Sequence, residues 1–224
     1  MLGGFAMLAA TALVAPAAHA TAVYIGVSFG GGIIDLSQSA DTTASWRGVG
    51  PGGAFTITST ATGSPTLPEP NLNVGLTAIG SVKGSVTIYV TELRLAGSFA
   101  GIQSVYTDNA TQNAPSVSFA TYEYACSVPN CGNADLFQTP AGSEYGSAVL
   151  SSNGASSTVT SPFGISPSTV FAETVEFTVT FLPIGGSTNA SINVTDPPVP
   201  EPPPLAVLGV GLAGLGLVRR RRKN

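Results

Sequence analysis

Hydrophobic and polar residues alternate along much of this chain, and this period constrains the fold more than any other feature of the sequence. In the clearest stretch, Val175, Phe177, Val179 and Phe181 alternate with polar residues. Successive side chains of a β-strand point to opposite faces, so the pattern gives a strand one apolar and one polar face. Such strands form antiparallel sheets that bury one side and leave the other in water.

The same alternation recurs along the chain, and clusters of glycine, proline and asparagine separate the alternating segments as turns would. The further strand candidates are residues 23–29, 54–60, 72–76, 86–95, 117–125, 148–151, 157–160 and 192–194. Eight to ten short strands with regular turns predict an all-β fold, an antiparallel β-sandwich that is jelly-roll-like.

Residues 86–95 break the alternation once, because the apolar positions change parity within the segment. An extra residue in one strand, a β-bulge, shifts the parity of everything that follows it. We therefore expect a bulge near Thr91 and Glu92, which would return Leu93 and Leu95 to the apolar face.

Cys126 and Cys131 are the only cysteines in the chain, and Pro129 and Asn130 lie between them. In an oxidising compartment a local disulfide is their natural state. The loop that it closes is short, so the entropic stabilisation is about 2 kcal/mol. We expect the bridge to stiffen a loop rather than to hold the fold together.

The first 20 residues resemble a secretory signal peptide. An apolar stretch, residues 5–15, precedes Ala18 and Ala20, which have the small-x-small spacing of a signal-peptidase site. Residues 1–4 contain no Lys or Arg, so either the true start lies upstream or the α-amino group is the only positive charge there. Cleavage after Ala20 predicts export.

The C-terminal segment, residues 197–224, has three parts. A proline-rich stem, which we expect to be extended and non-helical, precedes an apolar run over residues 205–218, and five cations follow at residues 219–223. A helix over that run would be about 21 Å long against a bilayer core of roughly 30 Å, and Arg side chains that extend to the interface cover part of the difference. Positive flanks stay cytoplasmic, so we expect an inner-membrane anchor with an internal C-terminus. The stop-transfer residues are Arg219, Arg220, Arg221 and Arg222.

With Val199, Pro200, Glu201 and Pro202 before the apolar run, residues 198–223 resemble the PEP-CTERM sorting signal. The resemblance implies a Gram-negative cell with an extracellular polysaccharide locus. It also implies an exosortase-type membrane enzyme that cuts near the Pro-Glu-Pro motif and releases or transfers the body to the cell surface or extracellular matrix. It implies nothing about the fold of the body.

Residues 21–196 remain as one β-sandwich domain, and its charge excludes one class of partner. It holds three cations and eleven acidic residues, a net charge of −8. So few cations cannot neutralise a phosphate backbone, and we expect no binding to nucleic acid.

The mature chain contains no histidine, because His19 leaves with the signal peptide. Ser-His-Asp triads, Cys-His nucleophiles and histidine metal sites are therefore excluded. We expect no enzyme activity, no metal and no cofactor. The G-x-G-x-x-G spelling at residues 209–214 lacks the preceding strand that a dinucleotide site needs. Asp35 and Asp41 lack a calcium-loop pattern and are expected to stabilise turns.

We expect a structural or adhesive protein of a biofilm matrix, linked to exopolysaccharide. A first alternative is a carbohydrate-binding module, in which Trp46 or the pair Tyr122 and Tyr124 would be exposed to a glycan; Trp46 is also a candidate core residue.

A second alternative is a glycan-cleaving enzyme that uses two carboxyls. Single carboxylates on strands are usually solvated, and the spacing of Glu173 and Glu176 places them on opposite faces of a strand. The acids that could supply a pair are Glu92, Glu123, Glu144, Glu173 and Glu176.

Overall fold

The computed structural model describes residues 22–33, 35–38, 42–63, 71–95, 101–128, 131–162 and 170–195. These residues form strands, connecting turns and two short 3-10 turns, Pro51–Gly53 and Asn133–Asp135. The strands are β1 Ala22–Ser28, β2 Asp35–Gln38, β3 Thr43–Val49, β4 Phe55–Thr62, β5 Asn71–Gly80, β6 Gly84–Leu95, β7 Ile102–Gln112, β8 Ser116–Ala125, β9 Glu144–Leu150, β10 Ala155–Ser161, β11 Phe171–Phe181 and β12 Gly186–Thr195.

The strands form two six-stranded sheets whose described pairs are antiparallel. Sheet A has the order β2-β1-β6-β11-β8-β9, and sheet B has the order β10-β7-β12-β5-β4-β3. The antiparallel β-sandwich expected from the alternation is confirmed. The twelve strands among the described residues exceed the eight to ten that we expected, and β2, β3 and β7 are the ones that the sequence did not reveal.

The core lies between the sheets, where the apolar faces of the strands meet. Val175, Phe177 and Val179 of β11 are fully buried there, opposite apolar residues of sheet B such as Ile57 and Ile192. Their polar neighbours along each strand face outwards, as the period of two requires. The predicted alternation therefore determines which face of each sheet is buried.

The expected bulge in β6 is present, but it lies at Leu93 and Arg94 rather than at Thr91 and Glu92. Glu173 of β11 pairs with Glu92, whereas Phe171 pairs with Leu95, so β6 has one extra residue between these pairs. The left-handed backbone of Arg94, with φ of 71°, accommodates it. Leu95 consequently shares the face of Phe171, whereas Leu93 packs on the outer face of sheet A.

The two ends of the sandwich hold different parts of the chain. Ala22, at the start of β1, lies opposite Leu93 of β6, and Thr195, at the end of β12, lies opposite Asn71 of β5. Both belong to the same end, which we call the terminal end. The turns between β5 and β6 and between β11 and β12 lie at the other end, the turn end.

Among the residues that the structure describes, no helix is long and apolar enough to cross a membrane. The predicted signal peptide, the proline-rich stem, the sorting motif at Val199 to Pro202 and the apolar run with Arg219 to Arg222 all lie outside the described residues.

Candidate functional site

A loop covers part of the outer face of sheet A near the terminal end. Its described parts are residues 126–128 and 131–143, which we call the disulfide loop. The bridge between Cys126 and Cys131 is formed, as predicted, with the two Cα atoms 5.0 Å apart. Cys131 is buried, so this end of the bridge lies against the protein.

Asp135 holds the disulfide loop in shape. Its Oδ1 accepts a hydrogen bond from the backbone N–H of Ser127, and its Oδ2 accepts one from Gly132, both at 2.7 Å. Burial would raise the pKa of Asp135, but these hydrogen bonds outweigh burial and lower the pKa below its usual value. The carboxylate is therefore structural and stays ionised.

A chain of hydroxyl groups fastens the loop to the sheet. Thr91 and Thr174, on neighbouring strands, are 2.8 Å apart at their Oγ1 atoms, and the Tyr124 hydroxyl lies 2.9 Å from Thr174. The hydroxyl of Tyr124 donates to the carbonyl of Asp135, and the N–H of Phe137 donates to Thr91 at 3.0 Å. Beneath the loop, Leu93, Tyr124, Leu136 and Ala172 form a small apolar cluster that is separate from the main core.

Beside the loop, two tyrosines and two glutamates alternate across four neighbouring strands of sheet A. Tyr89 of β6 pairs with Glu176 of β11, and Tyr122 of β8 pairs with Glu144 of β9. Glu176 and Tyr122 are diagonal neighbours, because Tyr122 pairs with Thr174, two residues before Glu176. We call Tyr89, Glu176, Tyr122 and Glu144 the aromatic–acidic row.

The aromatic–acidic row is accessible to solvent. Tyr89, Tyr122 and Glu176 are half-buried and Glu144 is exposed. Burial, and then the charge of Glu176, raises the pKa of both tyrosines, with Glu144 adding to the effect on Tyr122. The pKa of Glu176 is raised mainly by burial and also by Glu144, against a hydrogen bond from Thr178 at 3.2 Å.

Phe137 of the disulfide loop borders the row. Its ring centre lies 6.3 Å from that of Tyr89, and it also covers Gly26, where an added Cβ would lie 3.1 Å from the ring. On the other side, towards the turn end, Thr87 and Thr178 continue the outer face with their hydroxyls 3.0 Å apart. Rings, carboxylates and hydroxyls therefore adjoin one another on this face, and such groups can stack on and hydrogen-bond to a sugar.

Three other glutamates lie on three of these strands and face the interior of the sandwich. Glu92 of β6 pairs with Glu173 of β11, which pairs in turn with Glu123 of β8. We call these three residues the glutamate triad. Directly opposed residues have Cβ atoms about 4.5–5.5 Å apart. Glu92 and Glu173 are fully buried and Glu123 is 2% exposed, which contradicts the expectation of solvated carboxylates.

The surroundings of the triad favour neutral carboxyls. Among the described residues, neither oxygen of Glu123 or of Glu173 has a hydrogen-bond partner. Burial raises the pKa of Glu123 to about 8. Burial, and then Glu123 and Glu92, raises the pKa of Glu173 well above its usual value. Gly63, which follows β4, also packs closely on Glu92, where an added Cβ would lie 2.6 Å from Oε1.

The residues singled out in the sequence fall in different places. Trp46 and Tyr124 are each only 8% exposed, in the core and under the disulfide loop, so neither offers a ring to a ligand. Tyr122 belongs to the aromatic–acidic row. Glu173 and Glu176 lie on opposite faces of β11, as their spacing indicated. The two calcium candidates, Asp35 and Asp41, are not in a described cluster: the first begins β2 and the second lies outside the described residues.

Sequence reasoning missed Tyr89 and Phe137 as surface candidates. Tyr89 lies on the polar side of the alternation in β6, and an aromatic residue at a polar position was the available signal. Within the described ranges, no group of three His, Cys, Asp or Glu side chains is arranged to hold a metal ion.

No protein-family profile and no curated protein matches the chain. Among solved structures, it is similar to the family 11 carbohydrate-binding module from Clostridium thermocellum in complex with a beta-1,3-1,4-mixed-linked tetrasaccharide, with 8% identity over 77% of this chain and 95% of that chain and a TM-score of 0.34. The K1 cleaved adhesin domain of Lys-gingipain from Porphyromonas gingivalis W83 is 11% identical over 78% of this chain and 98% of that chain, with a TM-score of 0.33. The enzymatically active domain of bacteriophage CBA120 tailspike protein 4 is 11% identical over 63% of this chain, with a TM-score of 0.32, and this chain spans 19% of its length.

Proposed function

We propose that this protein is an exported β-sandwich that binds polysaccharide outside the cell through its aromatic–acidic row. The observation that carries the proposal is the row itself: Tyr89 and Tyr122 are half-buried on the outer face of sheet A, each beside a carboxylate. An aromatic ring held by its neighbours offers a flat apolar surface at a small entropic cost. The carboxylates of Glu176 and Glu144 accept hydrogen bonds from sugar hydroxyls.

A binding role fits the acids of this chain better than hydrolysis does. A glycosidase needs two carboxyls flanking the bond that it cuts, about 5–10 Å apart. The glutamate triad is sealed in the core, so Glu92, Glu123 and Glu173 do not reach a glycan. Glu176 and Glu144 are on the outer face but not on adjacent strands: β8 separates β11 from β9, and Tyr122 of β8 lies between the two carboxyls. We therefore propose a module without catalytic activity.

The location of the protein is proposed from its two targeting segments. A signal peptide over residues 1–20 and a PEP-CTERM segment over residues 197–224 would hold it at the inner membrane until an exosortase-type enzyme passes it to the cell surface or matrix. Because β12 ends at the terminal end, the stem would leave there, and the row on the flank of the sandwich would stay accessible. The protein would then adhere to exopolysaccharide in the matrix of a biofilm.

Affinity measurements on single-residue variants test the binding site. In the full-length protein, Tyr89→Ala and Tyr122→Ala should each weaken binding to a polysaccharide ligand about tenfold, since a stacked ring contributes roughly 1–1.5 kcal/mol beyond its buried area. Ile79→Ala, which removes an exposed side chain from the outer face of sheet B, is the matched control and should bind normally. Equal affinity in all three variants would place the site elsewhere or remove it.

Cell fractionation tests the proposed location independently. Cells that produce the full chain should hold it in the membrane and surface fractions, and cells that produce a chain lacking residues 197–224 should release it. Recovery of both forms from the cytosol, with the first 20 residues intact, would refute export.

A further inference from the structure

We propose that the aromatic–acidic row selects polysaccharides that carry free amino groups, that is, positively charged amino sugars. This inference rests on the proposed glycan-binding function and adds the class of glycan. It follows from the charges on the outer face of sheet A and from the position of Glu176 within the row.

Among the described strands of sheet A, only β6 carries a cation. β1, β8, β9 and β11 contain no lysine or arginine, and neither do residues 131–143 of the disulfide loop. Of the three cations between residues 21 and 196, Arg47 lies on sheet B, Lys83 lies in a turn at the turn end, and Arg94 lies in the bulge at the terminal end. A ligand that crosses the row therefore meets Glu176 and Glu144 on β11 and β9, two strands that carry no cation.

Glu176 is placed to receive a cation. Its carboxylate is half-buried next to Tyr89, and Thr178 donates one hydrogen bond to it. An ammonium group beside it would form a charge-assisted hydrogen bond and lie near the electron-rich faces of Tyr89 and Tyr122. Burial and the charge of Glu144 raise the pKa of Glu176, because both disfavour its charged form. A cation beside the carboxylate favours the charged form and would lower that pKa.

Other classes of glycan fit the row less well. A polymer of uronic acids would bring like charges towards Glu176 and Glu144, which costs binding energy. A neutral polymer would exclude water from Glu176 without supplying a counter-charge. Both can still stack on Tyr89 and Tyr122, so the difference between classes depends on the two glutamates.

The test compares three soluble probes on the full-length protein in detergent: a deacetylated chitosan oligosaccharide, the N-acetylated oligosaccharide of the same length, and an oligo-uronic acid. Calorimetry at pH 6 measures each affinity. We expect the chitosan oligosaccharide to bind at least about tenfold more tightly than the N-acetylated one, as one charge-assisted contact predicts. The oligo-uronic acid should not bind measurably. Raising the ionic strength from about 0.05 M to about 0.5 M should reduce the ratio of these two affinities, because salt screens the attraction between the charges.

Two variants with the same change in net charge locate the effect. Glu176→Gln should remove the preference for the chitosan oligosaccharide while leaving stacking on the tyrosines intact. Ile79→Lys makes the same change in net charge on the outer face of sheet B, where Ile79 is exposed, and should keep the preference. A lysine oligopeptide of equal charge controls for simple ion exchange and should bind at least about tenfold more weakly than the chitosan oligosaccharide.

The outcomes separate the two proposals. Equal binding of the charged and N-acetylated probes, both lost in Tyr89→Ala, keeps glycan binding and overturns the selection for amino groups. Equal effects of Glu176→Gln and Ile79→Lys, or tight binding of the lysine oligopeptide, also overturn it, because attraction would then follow net charge alone. If Tyr89→Ala binds every probe as well as the unmodified protein does, the proposed function itself fails.

Discussion

The glutamate triad and the aromatic–acidic row lie on the two faces of the same strands and use the same residue type for opposite purposes. Glu173 and Glu176 are three residues apart on β11. The first is fully buried beside two other acids, whereas the second is half-buried beside two tyrosines. Both have raised pKa values, and burial is the main cause in each case.

The comparison shows that burial alone does not give a carboxyl its role. In the triad no ligand can reach the acids, so a proton is the only species that relieves their desolvation and mutual repulsion. In the row, solvent and a ligand have access to Glu176, so a cationic group can do the same. The inner set therefore affects stability, and the outer set is available for recognition.

The largest expected effect is a loss of stability as the pH rises. Folding raises the pKa of Glu123 from 4.5 to about 8, so the folded state favours the protonated form. This stabilisation is fully present below about pH 4.5 and is lost as the pH rises through about 8, an effect on the order of 4 kcal/mol. Equilibrium denaturation should show a lower free energy of unfolding at pH 9 than at pH 5.

Variants assign this pH dependence to the triad. Glu123→Gln keeps a neutral side chain of the same size and should reduce the slope between pH 5 and pH 9. The slope that remains would come from Glu173, from Glu176 and from Asp108, whose pKa burial raises despite a hydrogen bond from Thr188. Tyr106 of sheet B also faces Glu173, but burial raises the pKa of its hydroxyl, which stays neutral below pH 9. Glu144→Gln should reduce the slope only slightly, through its effect on the pKa of Glu176; a reduction equal to that of Glu123→Gln would show that the inner and outer acids are not distinct.

A smaller effect is expected from the disulfide, and it should act on the outer face alone. Replacing Cys126 and Cys131 with serine should lower the free energy of unfolding by about 2 kcal/mol, since the bridge closes a short loop. Because Phe137 of that loop borders Tyr89, glycan affinity should also fall. The pH slope should not change. A change in slope would mean that the loop also controls the triad.

The smallest expected effect comes from one hydroxyl under the loop. Tyr124→Phe removes a donor to the carbonyl of Asp135 and a partner of Thr174, and it should cost about 1–2 kcal/mol. Thermal denaturation measures this cost, and Tyr89→Phe, on the accessible outer face of the same sheet, is the matched control. A cost for Tyr124→Phe no greater than that for the control would show that the hydroxyl chain does not fasten the loop.

Sequence reasoning identified the strands whose two faces differ clearly. In β11, β1 and β12 the inward positions are apolar for most of their length, so the period of two is visible. β7 was missed because Ser104 and Asp108 point inwards, where they hydrogen-bond to Thr121 and Thr188. Those partners come from other strands, and a single sequence does not show which strands will be neighbours.

The same limit applies to the candidate site. Strand parity alone predicted that Glu173 and Glu176 face opposite ways. The row and the triad depend in addition on register, which brings residues from strands far apart in the chain to one level of the sheet. Tyr122 was singled out because it lies near the cysteines, but Tyr89 becomes its neighbour only through β11, which separates β6 from β8.

The position of β12 has a mechanical consequence. It is the last described strand, yet it lies inside sheet B, hydrogen-bonded to β5 on one side and to β7 on the other. A pulling force applied to the chain beyond Thr195 along the strand would load both ladders in shear, so that many hydrogen bonds resist together instead of unzipping singly. A domain tethered through β12 would therefore resist the drag of a bound polymer without first losing a strand from the edge of a sheet.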